Sequence, residues 1–210
     1  MTCLEPGLIA GWLRARSVAR GLPLPVADHG GWRVDTGLAH ELRRYVFARA
    51  EDSLRILAET ISAPHIYLKL CGSEQEMRAL LTPRWEIQEP RFVMTGDAYA
   101  PAYLPLPAGY CLQLTRCGAT TTARIVTAQG AVAASGYAAE VNDYFIYDQI
   151  ATAPEHRRRG LGACLMRSLY STRRSPTSIQ VLVATAQGQA LYSALGWRIR
   201  SPYTTAHIPH

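Results

Sequence analysis

The order of apolar and polar positions divides the chain into helical and extended segments. Apolar residues that recur every three or four positions predict helices over residues 8–20, 51–61, 160–170 and 187–195. Gly21 and Pro23 are typical of the end of the first helix. Ser73 with Glu76 three positions later has the pattern of a capping box, which predicts a short helix through residue 81.

Shorter apolar runs between turn residues predict strands. In the first half they cover residues 32–35, 44–47, 65–71 and 91–94. In the second half they cover residues 110–115, 121–127, 131–138, 144–152, 179–184 and 197–200. Gln129-Gly130 separates two of these runs and is a suitable hairpin turn. The alternation of predicted helices and strands favours an α/β protein.

The segment 99–109 contains Pro101, Pro105 and Pro107, and prolines at this density are excluded from helix interiors and central strands. It is the best candidate for a connector. The predicted organisation is an N-terminal α/β lobe over residues 1–98, a proline-rich connector over 99–109 and a second domain over 110–210.

Composition places the chain among ordinary globular proteins, since 48% of its residues are hydrophobic and 18% are charged. No apolar run has the length of a membrane span, and the N-terminal residues do not resemble a signal peptide. The five cysteines lack C-x-x-C spacing, which favours reduced thiols in the cytoplasm. His65 has no carboxylate or cysteine at ligand spacing, so no metal site is predicted.

The formal net charge of +6 comes almost entirely from arginine, because Lys69 is the only lysine. A GC-rich genome is a sufficient cause of that bias. The arginines are scattered along the chain, whereas nucleic-acid binders usually concentrate them on one element. We expect no nucleic-acid partner and only a mild attraction for anionic ligands.

One segment has a specific chemical pattern. An apolar strand ends at Pro154, and a basic turn with Gly160 and Gly162 follows before a predicted helix. Such a turn presents unpaired main-chain N–H groups at the positive end of a helix dipole, which is suited to phosphate. A P-loop would need a lysine after the second glycine, and a dinucleotide-binding turn would need glycine at Leu165.

The remaining pattern resembles the GNAT superfamily of acyl-CoA-dependent N-acyltransferases. Residues 157–162 (Arg-Arg-Arg-Gly-Leu-Gly) match the Q/R-x-x-G-x-G/A signature of that family. Downstream, residues 181–197 are similar to its second motif, a strand followed by a short helix with Leu-Tyr and a Leu-Gly-aromatic turn. Residues 65–94 are loosely similar to the N-terminal halves of two-lobed acyltransferases of the glycine N-acyltransferase type.

The resemblance implies the GNAT fold, which is of the α+β type with a mixed, mostly antiparallel sheet flanked by helices, here with an additional N-terminal α/β lobe. It also implies a set of residues that bind acetyl-CoA. Main-chain groups of the turn would hold the pyrophosphate, and the preceding strand would pair with the pantetheine amides as an added strand does. The implied binding residues are Ile150, Ala151, Thr152, Arg157, Arg158, Arg159, Gly160, Leu161, Gly162, Thr185 and Gly188.

The implied reaction is direct attack of an amine on the thioester, which needs a general acid and a general base. Tyr192 matches the tyrosine that commonly serves as the acid. Relatives often have a glutamate that acts as the general base at the position of Ile146. The candidate base in this chain is Asp148, which lies two residues later and therefore on the same face of the strand. Asp143, Glu140 and Tyr147 stay open as alternatives.

We therefore expect an N-acetyltransferase that acts on a small-molecule or peptide amine, without a membrane partner, and a homodimer is compatible with the resemblance. The alternative is a non-catalytic module that binds acyl-CoA and regulates a partner. A second, weaker alternative is an acetyltransferase that acts on RNA. The sequence does not identify the acceptor.

Overall fold

The computed structural model describes residues 4–96 and 104–209. Its helices are α1 (Pro6–Ala19), α2 (Asp52–Thr60), α3 (Glu74–Arg78), α4 (Leu161–Tyr170) and α5 (Ala186–Ala194). The strands of the first half are β1 (Val26–Asp28), β2 (Gly31–Leu38), β3 (Glu41–Phe47), β4 (Ile66–Leu70), β5 (Glu86–Ile87) and β6 (Arg91–Thr95). Those of the second half are β7 (Tyr110–Cys117), β8 (Thr120–Thr127), β9 (Val132–Val141), β10 (Tyr144–Thr152), β11 (Ile179–Thr185) and β12 (Arg198–His207).

Within the described residues, the strands form a twelve-stranded sheet in the order β1-β2-β3-β4-β12-β6-β11-β10-β9-β8-β7, with β5 paired to β12 outside this path. The pairs β3–β4 and β10–β11 are parallel, and the other pairs are antiparallel. The predicted fold class is confirmed: a mixed, mostly antiparallel sheet flanked by helices, with additional N-terminal α/β structure.

The segment 99–109 is described only in part. Residues 99–103 of the predicted connector lie outside the described residues, and residues 104–109 form neither helix nor strand.

Strand β12 joins the two halves of the chain. Its first part, from Arg198 to Tyr203, pairs with β6, and its second part, from Thr204 to His207, pairs with β4. The predicted strand stopped at Arg200, since Pro202 and the polar residues that follow are unfavourable in a central strand. The register shifts between Ile199 and Ser201, and beyond this irregularity the strand continues to His207.

Helix α1 packs on β9 and β10 and buries Ile9, Trp12 and Leu13. Pro6 at its start has a fixed φ that suits the first helical turn. The helix approaches β10 closely at Gly11, where an added Cβ would overlap the Tyr144 ring. The packing directs the C-terminal turn of α1 toward the middle of the sheet, where Arg16 and Arg20 meet Asp148.

The predicted capping box at α3 is confirmed. Ser73 Oγ accepts a hydrogen bond from the Glu76 N–H at 3.2 Å, and Glu76 Oε2 accepts one from the Ser73 N–H at 2.7 Å. The short strands β1 and β5 were not predicted, because three and two residues are too few to show a period.

Candidate active site

The parallel strands β10 and β11 separate at the centre of the sheet. Their pairing runs from Tyr144 opposite Ile179 to Ile146 opposite Val181 and stops there. Both strands continue, β10 to Thr152 and β11 to Thr185, and β10 stays paired with β9 on its other side. A V-shaped opening results, in which one edge of β10 presents main-chain groups to a cleft instead of to a neighbouring strand.

A β-bulge lies where β10 borders this opening. The register with β9 shifts between Asp148 and Ala151, and Gln149 between them has a φ of 52°. A bulge adds an unpaired residue and turns the side chains that follow. Asp148 consequently lines one cavity of the molecule, and Ile150, two positions later, lines another.

The basic turn between β10 and α4 has the geometry of an anion site. Gly160 precedes the first residue of α4 with a φ of 77°, a conformation that favours glycine. Among residues 4–96 and 104–209, no hydrogen-bond acceptor meets the main-chain N–H groups of residues 158–163. These donors lie at the positive end of the α4 dipole, which is an arrangement suited to phosphate.

A cleft of about 750 Å³ extends from this turn along the opened edge of β10. Most of the predicted cofactor-binding residues line it: Ile150, Ala151, Thr152, Arg157, Arg158, Gly162, Thr185 and Gly188. Gly160 and Leu161 line a smaller adjoining hollow with Gly162. Three further lining residues, Pro154, Gln187 and Leu191, were not among the predicted binding residues, although Pro154 and Leu191 belong to the two motifs.

The three consecutive arginines point in different directions. Arg157 and Arg158 line the cleft, and Arg157 Nε donates to the Thr152 carbonyl at 3.3 Å. The Arg159 guanidinium turns to the Tyr110 hydroxyl at 3.1 Å and to the Glu155 carbonyl at 3.2 Å. Arg159 therefore contributes main chain to the turn, while its side chain braces the turn against β7.

Tyr192 lines the same cleft from α5 and is 7% exposed. Burial, and secondarily the negative charge of Asp148, raises the pKa of its hydroxyl to about 12. The phenol therefore stays protonated at neutral pH and is available as a proton donor. Its hydroxyl makes no hydrogen bond with any residue that the structure describes.

Thr185 and Gly188 position the helix that carries Tyr192. Thr185 is the N-cap of α5, and its Oγ1 accepts a hydrogen bond from the Gly188 N–H at 3.1 Å. An added Cβ at Gly188 would lie 3.2 Å from the Tyr192 ring. These two predicted binding residues thus also hold the first turn of α5 next to the tyrosine.

Asp148 lies on the other side of the opening, held by α1. Arg20 Nε donates to its Oδ2 at 2.5 Å and Arg20 Nη2 to its Oδ1 at 2.9 Å, while Arg16 Nε lies 3.7 Å from Oδ2. Burial lowers the pKa of Arg16, whereas the hydrogen bond to Asp148 raises that of Arg20 against the effect of burial. Both guanidinium groups remain charged because arginine titrates so far above neutrality.

The alternative candidates for the base have other partners. Glu140 is buried and accepts hydrogen bonds from the Arg174 and Ser175 N–H groups and from Ser178 Oγ, which lower its pKa despite burial. The Tyr147 hydroxyl donates to Gln180 Oε1 at 2.7 Å beside the apex of the V. Glu140, Tyr147 and Asp143 line neither of the two cavities at the opening, whereas Asp148 lines one of them.

A second cavity, which we call the charged chamber, lies on the α1 side of the opening and measures about 290 Å³. Its charged lining residues are four cations and two carboxylates: Arg16, Arg20, Lys69, Arg91, Glu41 and Asp148. Both halves of the chain contribute, because Lys69 lies on β4 whereas Asp148 and Val183 lie on β10 and β11. Sequence reasoning missed this chamber.

Glu41 organises the wall of the charged chamber opposite Asp148. Lys69 Nζ lies 2.8 Å from Glu41 Oε1, and the fully buried Arg44 donates to Glu41 Oε2 at 2.8 Å. Burial lowers the pKa of Lys69 to about 8, an effect that Glu41 opposes and that Arg16 and Arg91 reinforce. Each carboxylate of the charged chamber is thus shared by two cations.

Across residues 4–96 and 104–209, no three His, Cys, Asp or Glu side chains gather closely enough to hold a metal ion. In the same ranges, no helix combines the length and the apolarity needed to cross a membrane.

The fold and the cleft define an α/β protein in which two splayed parallel strands and a turn with unpaired N–H groups border one cleft, an arrangement suited to a phosphorylated carrier. Residues 119–199 match the family described as "Acetyltransferase (GNAT) domain". This match covers less than half of the chain; it supports the resemblance to the GNAT superfamily over that segment, within a fold of the GNAT type. A comparison with curated protein sequences finds no match.

Solved structures share the fold along the whole chain. A GCN5-related N-acetyltransferase from Kribbella flavida is 12% identical with a TM-score of 0.66, and the match covers 100% of this chain and 97% of that one. A putative GNAT-family acetyltransferase from Novosphingobium aromaticivorans is 17% identical with a TM-score of 0.60, and 97% of each chain is covered. A tandem GNAT protein from the clavulanic acid biosynthesis pathway is 17% identical with a TM-score of 0.52, over 74% of this chain and 68% of that one.

Proposed function

We propose that this protein is an N-acetyltransferase that transfers an acetyl group from acetyl-CoA to a primary amine in a ternary complex. The observation that carries the proposal is the meeting of three features at one opening. The unpaired N–H groups of residues 158–163 lie at one end of the cleft. The free edge of β10 follows, and Tyr192 lies beside it.

The residues of the cleft fit the donor. The N–H groups of the turn and the side chains of Arg157 and Arg158 would hold the pyrophosphate. The main chain of Ile150, Ala151 and Thr152 would hydrogen-bond the pantetheine amides, taking the place that β11 leaves beyond Val181. Acetyl-CoA would supply an activated thioester, and its carbonyl carbon would lie where the cleft and the charged chamber approach each other.

The chain's own groups then serve the transfer. The amine nitrogen forms the new C–N bond as the C–S bond breaks, and Tyr192 donates its proton to the departing sulfur. Asp148 accepts the amine proton, directly or through one water. Arg20 donates to both carboxylate oxygens of Asp148 and thereby fixes the orientation of this base. Arg20 therefore acts as a positioning residue for this step.

Donor binding is tested first, by calorimetry with acetyl-CoA. Gly160→Asp places a negative charge at the phosphate turn and should weaken binding at least about tenfold. The control is Gly130→Asp in the β8–β9 turn. Its φ of 84° imposes a similar backbone strain, with nothing within 4 Å of an added Cβ. Absence of acetyl-CoA binding to the wild type, or equal binding to both variants, would contradict the proposal.

Turnover is tested second, by release of free thiol from acetyl-CoA in the presence of a panel of amines. Amine-dependent thiol release with formation of the N-acetyl product supports the enzyme. Tight donor binding with no thiol release for any amine supports instead a non-catalytic module that senses acyl-CoA.

A further inference from the structure

The charged chamber identifies the chemical class of the acceptor. We propose that it binds a small zwitterionic amine, in which a carboxylate is held by the cations of the chamber while the amine lies next to Asp148. The inference rests on the proposed function and deepens it. It follows from the position, the charge and the size of the chamber.

The position of the charged chamber matches that of an acceptor site. Its wall includes Asp148 of β10 and Val183 of β11. Each lies two residues after the last position at which β10 and β11 are paired. The donor cleft begins two residues further along each strand, at Ile150 and Thr185. Adjacent segments of the same two strands therefore border the donor cleft and the charged chamber, and the reacting atoms would lie between the two cavities.

The charge of the chamber favours an anionic group on that ligand. Arg16 and Arg20 share Asp148, and Lys69 shares Glu41 with Arg44. Arg91 forms no ion pair with any residue in 4–96 or 104–209. The lining cations thus outnumber the lining carboxylates by four to two. A carboxylate on the ligand would reduce the mutual repulsion of these cations. Arg16, Arg20 and Lys69 are recessed, where charges are weakly screened, and the exposed Arg91 lies at the rim.

The two carboxylates also give the chamber negatively charged groups that can attract a cation. An ammonium group is attracted to Asp148, so a ligand with both signs of charge fits the chamber better than a polyamine or a simple anion. The volume of about 290 Å³ is at the lower limit of small-molecule sites, which excludes a folded protein surface as the ligand. These features favour an amino acid or a similarly short amino carboxylate.

The test uses matched pairs in the thiol-release assay: glycine with glycinamide, β-alanine with β-alaninamide, and 4-aminobutyrate with its amide. At least one acid should show a kcat/KM about tenfold above that of its own amide. The comparison is conservative for the α-amino pair, because the amine of glycinamide is less basic and is deprotonated to a greater extent at a given pH.

A charge-removing variant assigns the preference to the chamber. Arg91→Gln should reduce the acid-to-amide ratio several-fold while calorimetry shows unchanged acetyl-CoA binding. The matched control is Arg124→Gln on the exposed surface of β8, where the ratio should not move. If acetyl-CoA binds but no acid exceeds its amide, or if Arg91→Gln leaves the ratio unchanged, the inference is wrong. Failure of acetyl-CoA to bind would instead overturn the proposed function itself.

Discussion

At the scale of single residues, the opening in the sheet separates two protonation tasks. Tyr192 lies in the donor cleft, where burial keeps its hydroxyl protonated, and Asp148 lies in the charged chamber, where Arg20 contacts both of its oxygens. The two groups interact, since the charge of Asp148 contributes to the raised pKa of Tyr192. The proposed acid thus lies on one side of the V and the proposed base on the other.

The role of Tyr192 can be measured with Tyr192→Phe, which removes only the hydroxyl. Loss of a general acid should lower kcat about a hundredfold while the Kd for acetyl-CoA stays within about twofold. Tyr170→Phe on α4, outside the cleft and the chamber, is the matched control and should leave kcat unchanged. Steady-state kinetics and calorimetry check both quantities, and a fully active Tyr192→Phe would remove the tyrosine from the mechanism.

The pH profile gives an independent check on Tyr192. Activity requires the protonated phenol, so its contribution is present at every pH below the raised pKa and is lost only as the pH rises through about 12. Tyr192 should therefore add no alkaline limb to kcat in the neutral range. A limb near neutral pH that Tyr192→Phe abolishes would contradict the assignment.

Residues that act within one short segment could be predicted, and residues that meet across the fold could not. The turn over residues 157–162 is visible in the sequence because consecutive residues form it. Arg20 and Asp148 are 128 positions apart and meet only because α1 packs on β10. Neither hydrophobic periodicity nor a sequence motif indicates a contact between residues so far apart, so the sequence could not predict the charged chamber.

At the scale of elements, the approach of α1 to β10 determines where Arg16 and Arg20 lie. Gly7 and Gly11 are four positions apart on one face of α1, and both lie against Tyr144, whose hydroxyl donates to the Gly7 carbonyl at 2.9 Å. The sequence predicted α1 itself from its apolar spacing. It could not predict which strand the helix would cover, because that depends on the order of strands in the sheet.

The contact can be tested with two alanine substitutions in the same helix. In Gly11→Ala the new Cβ would overlap the Tyr144 ring, and we expect a loss of about 1–3 kcal/mol in the free energy of unfolding. In Gly7→Ala the Cβ would lie 3.9 Å from the Tyr144 hydroxyl, so better helix propensity should leave stability unchanged or higher by up to about 1 kcal/mol. Urea unfolding measures both, and equal effects would disprove the close approach.

At the scale of the whole molecule, β12 is the strand that makes one sheet from two parts of the chain. It lies between β4 and β6, and its Tyr203 ring packs edge-on against Trp12 of α1 at 5.7 Å between centroids. The sequence predicted two lobes from the proline-rich segment and from the resemblance to two-lobed acyltransferases. It could not show that the C-terminal strand would pair with the N-terminal part.

A truncation tests this dependence. A chain that ends after Trp197 lacks β12, so β4 and β6 lose their shared partner and apolar surface of both parts becomes exposed. We expect loss of near-ultraviolet circular dichroism and of a cooperative thermal transition. The control chain ends after Ile208 and keeps β12 complete. Native-like unfolding of the shorter chain would show that the two parts are stable independently.

The position of β12 in the chain also affects folding during synthesis. The ribosome makes β12 after β4, β5 and β6, the three strands with which it pairs. Domains of large proteins usually fold as they emerge, the N-terminal one first. Here the N-terminal strands emerge without the neighbour that lies between β4 and β6, and their edges stay unpaired until residues 198–207 leave the exit tunnel. Nascent chains of this protein therefore expose unpaired edges of β4 and β6 until the C-terminal strand emerges.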